Sequence, residues 1–125
     1  MSAHTRGRQN DGDAEALLAR AQELLAQPGR AAGNSARLAA FLARQSVEDL
    51  IDRRCAQLCG IDVGAGTMRS KLAILRSLDD TSAGPVLVGA WHQLTGFCHQ
   101  HAYQLAPTVS EVRAQCDVVQ RDCFG

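Results

Sequence analysis

From residue 13 onward, apolar residues recur at intervals of three and four almost without a break. Leu17, Leu18, Ala21, Leu24 and Leu25 stand at i, i+1, i+4, i+7 and i+8, which lays one apolar stripe along a helix. Asp13 is placed to cap that helix, and Pro28-Gly29 to end it. A second helix, the longest, is expected from a Ser35 cap through Cys59. Leu38, Phe41, Leu42, Val47, Leu50, Ile51 and Leu58 would face inward, and Gly60 would terminate it. "GIDVGAG" then reads as a loop, after which Thr67 caps a third helix carrying Met68, Leu72 and Leu75 at i, i+4 and i+7.

A fourth helix is expected from Pro85, a favoured first-turn residue, to Leu105, just ahead of Pro107. Leu87, Trp91, Leu94, Cys98, His101 and Leu105 follow one another at spacings of 4, 3, 4, 3 and 4, which turns His101 toward the core. The fifth helix opens with "TVSE", a capping box of Thr108 and Glu111, and carries Val109, Val112, Cys116, Val119 and Cys123. No segment alternates in the manner of a strand. The pattern predicts an all-α fold, a bundle of four to five antiparallel, up-and-down helices joined by short loops.

The 125 residues suit one domain with one core. Residues 1–12 are polar, contain glycine and lack periodicity, so a flexible tail is expected there, with the bundle over residues 13–125. Thirteen Lys+Arg balance thirteen Asp+Glu, which excludes an overall basic field for nucleic acid or an anionic membrane and leaves only local patches. Lys71 is the only lysine, and the abundance of Ala and Arg reads as compositional bias. The start of the chain has no apolar stretch of a secretory signal, and no segment approaches the roughly 20 apolar residues that span a bilayer. Five cysteines, an odd number, fit a reducing compartment with packed thiols, so a cytoplasmic protein is expected.

The stretch "GFCHQHAY", residues 96–103, gathers Cys98, His99, His101 and Tyr103 and raises the question of chemistry. Structural zinc needs four converging N or S ligands. Cys55 and Cys59, four apart on a helix, offer two corners, but a second pair is missing. His99 and His101 diverge by roughly 200° round a helix, and His92 and His99 share a face but stand roughly 10.5 Å apart along it. The stripe positions of Cys98, Cys116 and Cys123 are those of inert, buried thiols and not of an exposed, activated nucleophile. The glycines of "GIDVGAG" follow no strand and precede no Lys-Ser/Thr, so no phosphate loop or dinucleotide fingerprint is present. Neither a metal nor a cofactor is expected.

Taken as a unit, Gly96, four residues, His101, one residue and Tyr103, late in a short all-helical domain, resemble the Arg-x4-His-x-Tyr motif of the HEPN family. These are helical bundles found in bacterial toxin and defence ribonucleases. His101 and Tyr103 match the last two elements, and Gly96 stands where the arginine belongs. The resemblance implies that His101 transfers the proton in metal-independent RNA cleavage by the RNA's own 2′-hydroxyl. It makes Tyr103 the hydroxyl modified by a partner nucleotidyltransferase antitoxin, with His99 as a supporting group. A guanidinium stabilises the charge that develops on phosphate in that reaction, and glycine supplies none. The expectation is therefore a HEPN-like protein silent in cleavage, unless Arg69 or Arg76 of the third helix reaches the site. The resemblance also implies a two-fold homodimer through the fourth helix and its neighbours. The other reading is a helical dimerisation or interaction module without chemistry, in which His101 is a core imidazole and Tyr103 a phenol at the solvent edge.

Overall fold

The first two helices meet through small residues. Ala14, Leu18, Ala21 and Leu25 of the first stripe are buried in the same core as Ala36, Ala39, Ala40 and Ala43. Faces lined by alanine let two helices approach toward the short end of the roughly 8–10 Å range of axis separations. The computed structural model describes residues 2–27, 32–99 and 106–124. It consists of α1 (Ser2–Ala26), α2 (Ala32–Cys59), α3 (Met68–Leu78), α4 (Ala83–Cys98) and α5 (Val109–Val119), closed by a π-helical turn, Gln120–Phe124. Among the described residues there is no strand, and the fold is an all-α helical bundle. No helix among them is long and apolar enough to cross a membrane.

The central element is α2, which touches all four other helices. Val47, Leu50, Ile51 and Cys55 carry its core face, and each large aliphatic side chain buried there contributes about 1.5–3 kcal/mol. The hydroxyl of Ser46, fully buried, donates to the Ala14 carbonyl at 2.6 Å and ties α2 to α1. Arg113 of α5 donates from Nη2 to the Leu25 carbonyl at 3.1 Å, satisfying one of the orphan acceptors at the end of α1. Lys71, only 6% exposed, pairs through Nζ with Asp52 of α2 at 2.6 Å and donates to the Gly64 carbonyl at 3.2 Å, which fastens α3 and its preceding loop.

Several local signals act as the sequence predicts. Gly60, at φ 75°, ends α2 in the left-handed conformation that glycine adopts without strain. Thr67 accepts from Ser70 N to cap α3, and Thr108 and Glu111 form both halves of the capping box of α5.

Other expectations are corrected. The helical backbone of α1 begins at Ser2, so the stretch read as a tail over residues 1–12 is helix from Ser2, and Asp13 lies inside it, not at its cap. The stretch contains no proline, and glycines at 7 and 12 cost only about 1 kcal/mol each in a helix. Likewise α2 begins at Ala32, ahead of Ser35. Leu38 and Phe41 do not face inward: they are 49% and 42% exposed, because the alanines occupy the side of α2 that meets α1. The fourth helix starts at Ala83, with Pro85 inside its first turn where its missing N–H costs nothing, and ends at Cys98 instead of Leu105. Its core face is Leu87, Ala90, Leu94 and Phe97, while Trp91 and Cys98 flank it half-buried. The expected continuation through residues 100–105 lies outside the described residues.

The corner between α3 and α4 is fastened by Asp79, the C-cap of α3. Its carboxylate accepts from Arg54 Nε at 2.8 Å and Arg54 Nη2 at 2.9 Å, and from Thr81 Oγ1 at 2.7 Å and Thr81 N at 3.0 Å. The Arg54 hydrogen bonds, with those from Thr81, hold the Asp79 carboxyl well below the usual carboxylate range, against the opposing effect of burial.

A Cβ added at Gly84 would stand 2.9 Å from Asp79 Cβ. That atom belongs to a side chain pinned by Arg54, so it has no cheap way to give. Gly84→Ala is therefore expected to cost about 1–3 kcal/mol in urea denaturation. Gly89→Ala, where an added Cβ meets nothing within 4 Å, is expected to be neutral or stabilising by up to about 1 kcal/mol. Equal effects of the two substitutions would contradict this packing.

Candidate functional site

The motif residues His101 and Tyr103 lie outside the described residues, as does Gln100 between the two histidines. The structure does place the other candidates. Gly96 is exposed in the last turns of α4, and a Cβ there would meet nothing within 4 Å. His99 is the C-cap of α4, its backbone N–H bonded to the Thr95 carbonyl at 3.1 Å.

The cation beside His99 comes from α2. Arg44 Nη1 lies 3.3 Å from His99 Nε2. A guanidinium has no acceptor, so the imidazole nitrogen accepts and the ring proton of the neutral form sits on Nδ1. Arg44 also lies over the Phe41 ring, 5.9 Å from its centre, and its Nε stands 3.9 Å from Glu48 Oε2. That carboxylate oxygen already accepts from the indole N–H of Trp91 at 3.0 Å. Arg44, Glu48 and Phe41 from the middle of α2 thus meet Trp91 and His99 from the last turns of α4.

The two arginines considered from sequence sit elsewhere. Arg76 of α3 places Nη2 3.4 Å from Nε2 of His92, whose ring packs edge-on to Trp91 with centres 5.3 Å apart. By helix geometry His92 is roughly 10.5 Å along α4 from His99. Arg69 is exposed in the first turn of α3. Lys71 is engaged with Asp52 and Gly64 and is not available to a ligand.

Two grooves lie off the His99 corner. One, of about 220 Å³, runs beside Arg53, Arg54 and Asp122. The other, of about 390 Å³, follows Leu75, Pro85 and Val88 between α3 and α4. Among the described residues no three His, Cys, Asp or Glu side chains gather where a metal ion could bind.

Sequence reasoning missed Arg44, Glu48 and Trp91 as a group. The one signal available was the i, i+4 spacing of Arg44 and Glu48, which by itself indicates only a helical ion pair. Compared with known protein families, curated proteins and solved structures, the chain matches none.

The thiols divide by exposure. Cys59 is exposed, Cys55 and Cys116 are buried, and Cys98 and Cys123 are half-buried. Burial pushes the Cys116 and Cys123 thiols up to about 11 and raises Cys55 and Cys98 as well; at Cys98 the nearby Arg44 works in the opposite direction. A two-unit rise lowers the thiolate fraction at neutral pH roughly 100-fold. In the folded protein, one thiol per chain, Cys59, is expected to react rapidly with a thiol reagent, and the others only after denaturation. Rapid labelling of Cys116 in the folded state would contradict the packing.

Proposed function

We propose that the chain is a HEPN-like helical bundle of a bacterial toxin–antitoxin or defence system, related to metal-independent endoribonucleases and silent in RNA cleavage. The observation that carries the silent reading is Gly96. The position where the Arg-x4-His-x-Tyr motif places its guanidinium is an exposed helix surface without a side chain. Support for the HEPN-like reading comes from the all-α bundle, its long central α2 and the sequence spacing of His101 and Tyr103 after Gly96. In this reading the protein is cytoplasmic and works as a homodimer through α4 and its neighbours. Tyr103 is then the residue a nucleotidyltransferase-type antitoxin modifies.

A second reading, a helical interaction module without chemistry, is favoured by Leu38 and Phe41. These two large apolar side chains sit one turn apart on the outside of α2 and are nearly half exposed.

The two readings separate on Gly96. The unmodified protein is expected not to cleave RNA. A Cβ at Gly96 meets nothing within 4 Å, and Gly96→Arg is expected to produce weak cleavage, since one well-aimed donor to a developing oxyanion is worth about 100- to 1,000-fold in rate. Adding His101→Ala to that variant is expected to abolish the gain. Cleavage by the unmodified protein that His101→Ala removes would overturn the silent reading. A folded Gly96→Arg variant that cleaves none of the RNAs tested would favour the interaction module.

A further inference from the structure

We infer that the corner formed by Arg44 and His99 binds a phosphate oxyanion, with Arg44 of α2 as its principal ligand. This deepens the reading of the chain as a ribonuclease relative, on which it rests for the class of phosphate involved; the geometry of the corner stands by itself.

Arg44 differs from the arginines with settled partners. Arg54 spends Nε and Nη2 on the two oxygens of Asp79, and Arg113 caps the carbonyl of Leu25. Among the described residues Arg44 has no such oxygen acceptor. Its Nη1 meets an imidazole nitrogen at 3.3 Å, its closest carboxylate contact is 3.9 Å, and that carboxylate is already bonded to Trp91. Its Nε is buried without a hydrogen-bond partner among the described residues, and so is Oγ1 of Thr95, one turn before His99 on α4. A donor left unpaired costs free energy, so the arrangement gains when the guanidinium turns its free N–H groups onto an acceptor brought from outside.

The chemistry selects an oxyanion. The guanidinium offers parallel N–H groups in a fixed fork, its carbon stands 5.9 Å from the centre of the Phe41 ring and its side chain is only 20% exposed, so little freedom is lost on binding. With Nε2 as acceptor, His99 carries its proton on Nδ1, on the edge of the ring away from Arg44. A carboxylate is filled by the fork alone, whereas phosphate keeps further oxygens for water or a neighbouring donor. Among the described residues the carboxylate beside Arg44 is that of Glu48. It lies against Nε and is engaged by Trp91, so it steadies Arg44 without forming a close pair with it.

The test is an NMR titration of the full ¹⁵N-labelled chain, following the Arg44 side-chain N–H and the His99 ring. Inorganic phosphate and a short oligoribonucleotide are added separately, and each is repeated on Arg44→Gln, Arg44→Lys and, as a charge control in the exposed turn that follows α5, Arg121→Gln. The inference expects the oligoribonucleotide to move the Arg44 and His99 signals. Arg44→Gln is expected to weaken binding at least about tenfold and reduce the salt slope by about one, with Arg121→Gln little changed. Arg44→Lys, which keeps the charge and loses the fork, is expected to fall between, and it decides the matter if Arg44→Gln fails to fold. If inorganic phosphate alone moves these signals and the oligoribonucleotide binds no better, the site stands with free phosphate as its ligand. If neither ligand moves Arg44, or if both arginine variants bind as tightly as the unmodified chain, the inference is overturned. RNA bound at Arg44 and cut would sink the silent reading and leave this site standing. Neither RNA nor phosphate bound at Arg44, with no RNA cut, would do the reverse.

Discussion

Arg54 reaches from α2 with both Nε and Nη2 to the carboxylate of Asp79, the residue whose backbone N–H closes α3 and whose Cβ lies where Gly84 of α4 must pass. This one pair therefore sets three helices against each other. The side chain of Asp79 is fully buried, and a charge so placed is tolerated only because two guanidinium bonds and two bonds from Thr81 satisfy it. Removing Arg54 would leave the carboxylate without its counter-charge, which is why the pair constrains the chain more than its surface ion pairs do.

From that fixed corner α4 runs antiparallel to α2. The contacts climb in order, with Asp79 against Arg54, Trp91 against Glu48 and His99 against Arg44. Leu87, Ala90, Leu94 and Phe97 fill the space between and supply most of the stabilisation. The polar contacts set which turn of α4 faces which turn of α2. In this way a buried ion pair at one end determines that an arginine of α2, and not one of α3, arrives beside the end of α4.

Much of this is legible in the sequence where the cause is local. Gly60, Thr67 and the Thr108–Glu111 box act within a few residues of themselves, so their stop and start signals can be read directly. The face of α2 is different. Leu38 and Phe41 have the right period for a core stripe, but so do Ala36, Ala39, Ala40 and Ala43, and only the close approach of α1 decides for the alanines. The end of α4 at Cys98 is equally silent, since the stripe continues past it in the sequence. As for the site, the motif positions can be read from "GFCHQHAY", whereas Arg44 stands 55 residues from His99 and no spacing rule connects them. Tertiary pairing alone brings them together.

The central claim, that α2 delivers a guanidinium to the imidazole at the end of α4, is tested most directly by the tautomer of His99. Long-range ¹H–¹⁵N correlation spectra of the imidazole rings at pH 8, taken on the unmodified protein and on Arg44→Gln, distinguish the two ring nitrogens. The account predicts Nε2 unprotonated and Nδ1 protonated in the unmodified protein, with this preference lost in Arg44→Gln. A proton on Nε2, or a His99 ring indifferent to the loss of Arg44, would contradict it.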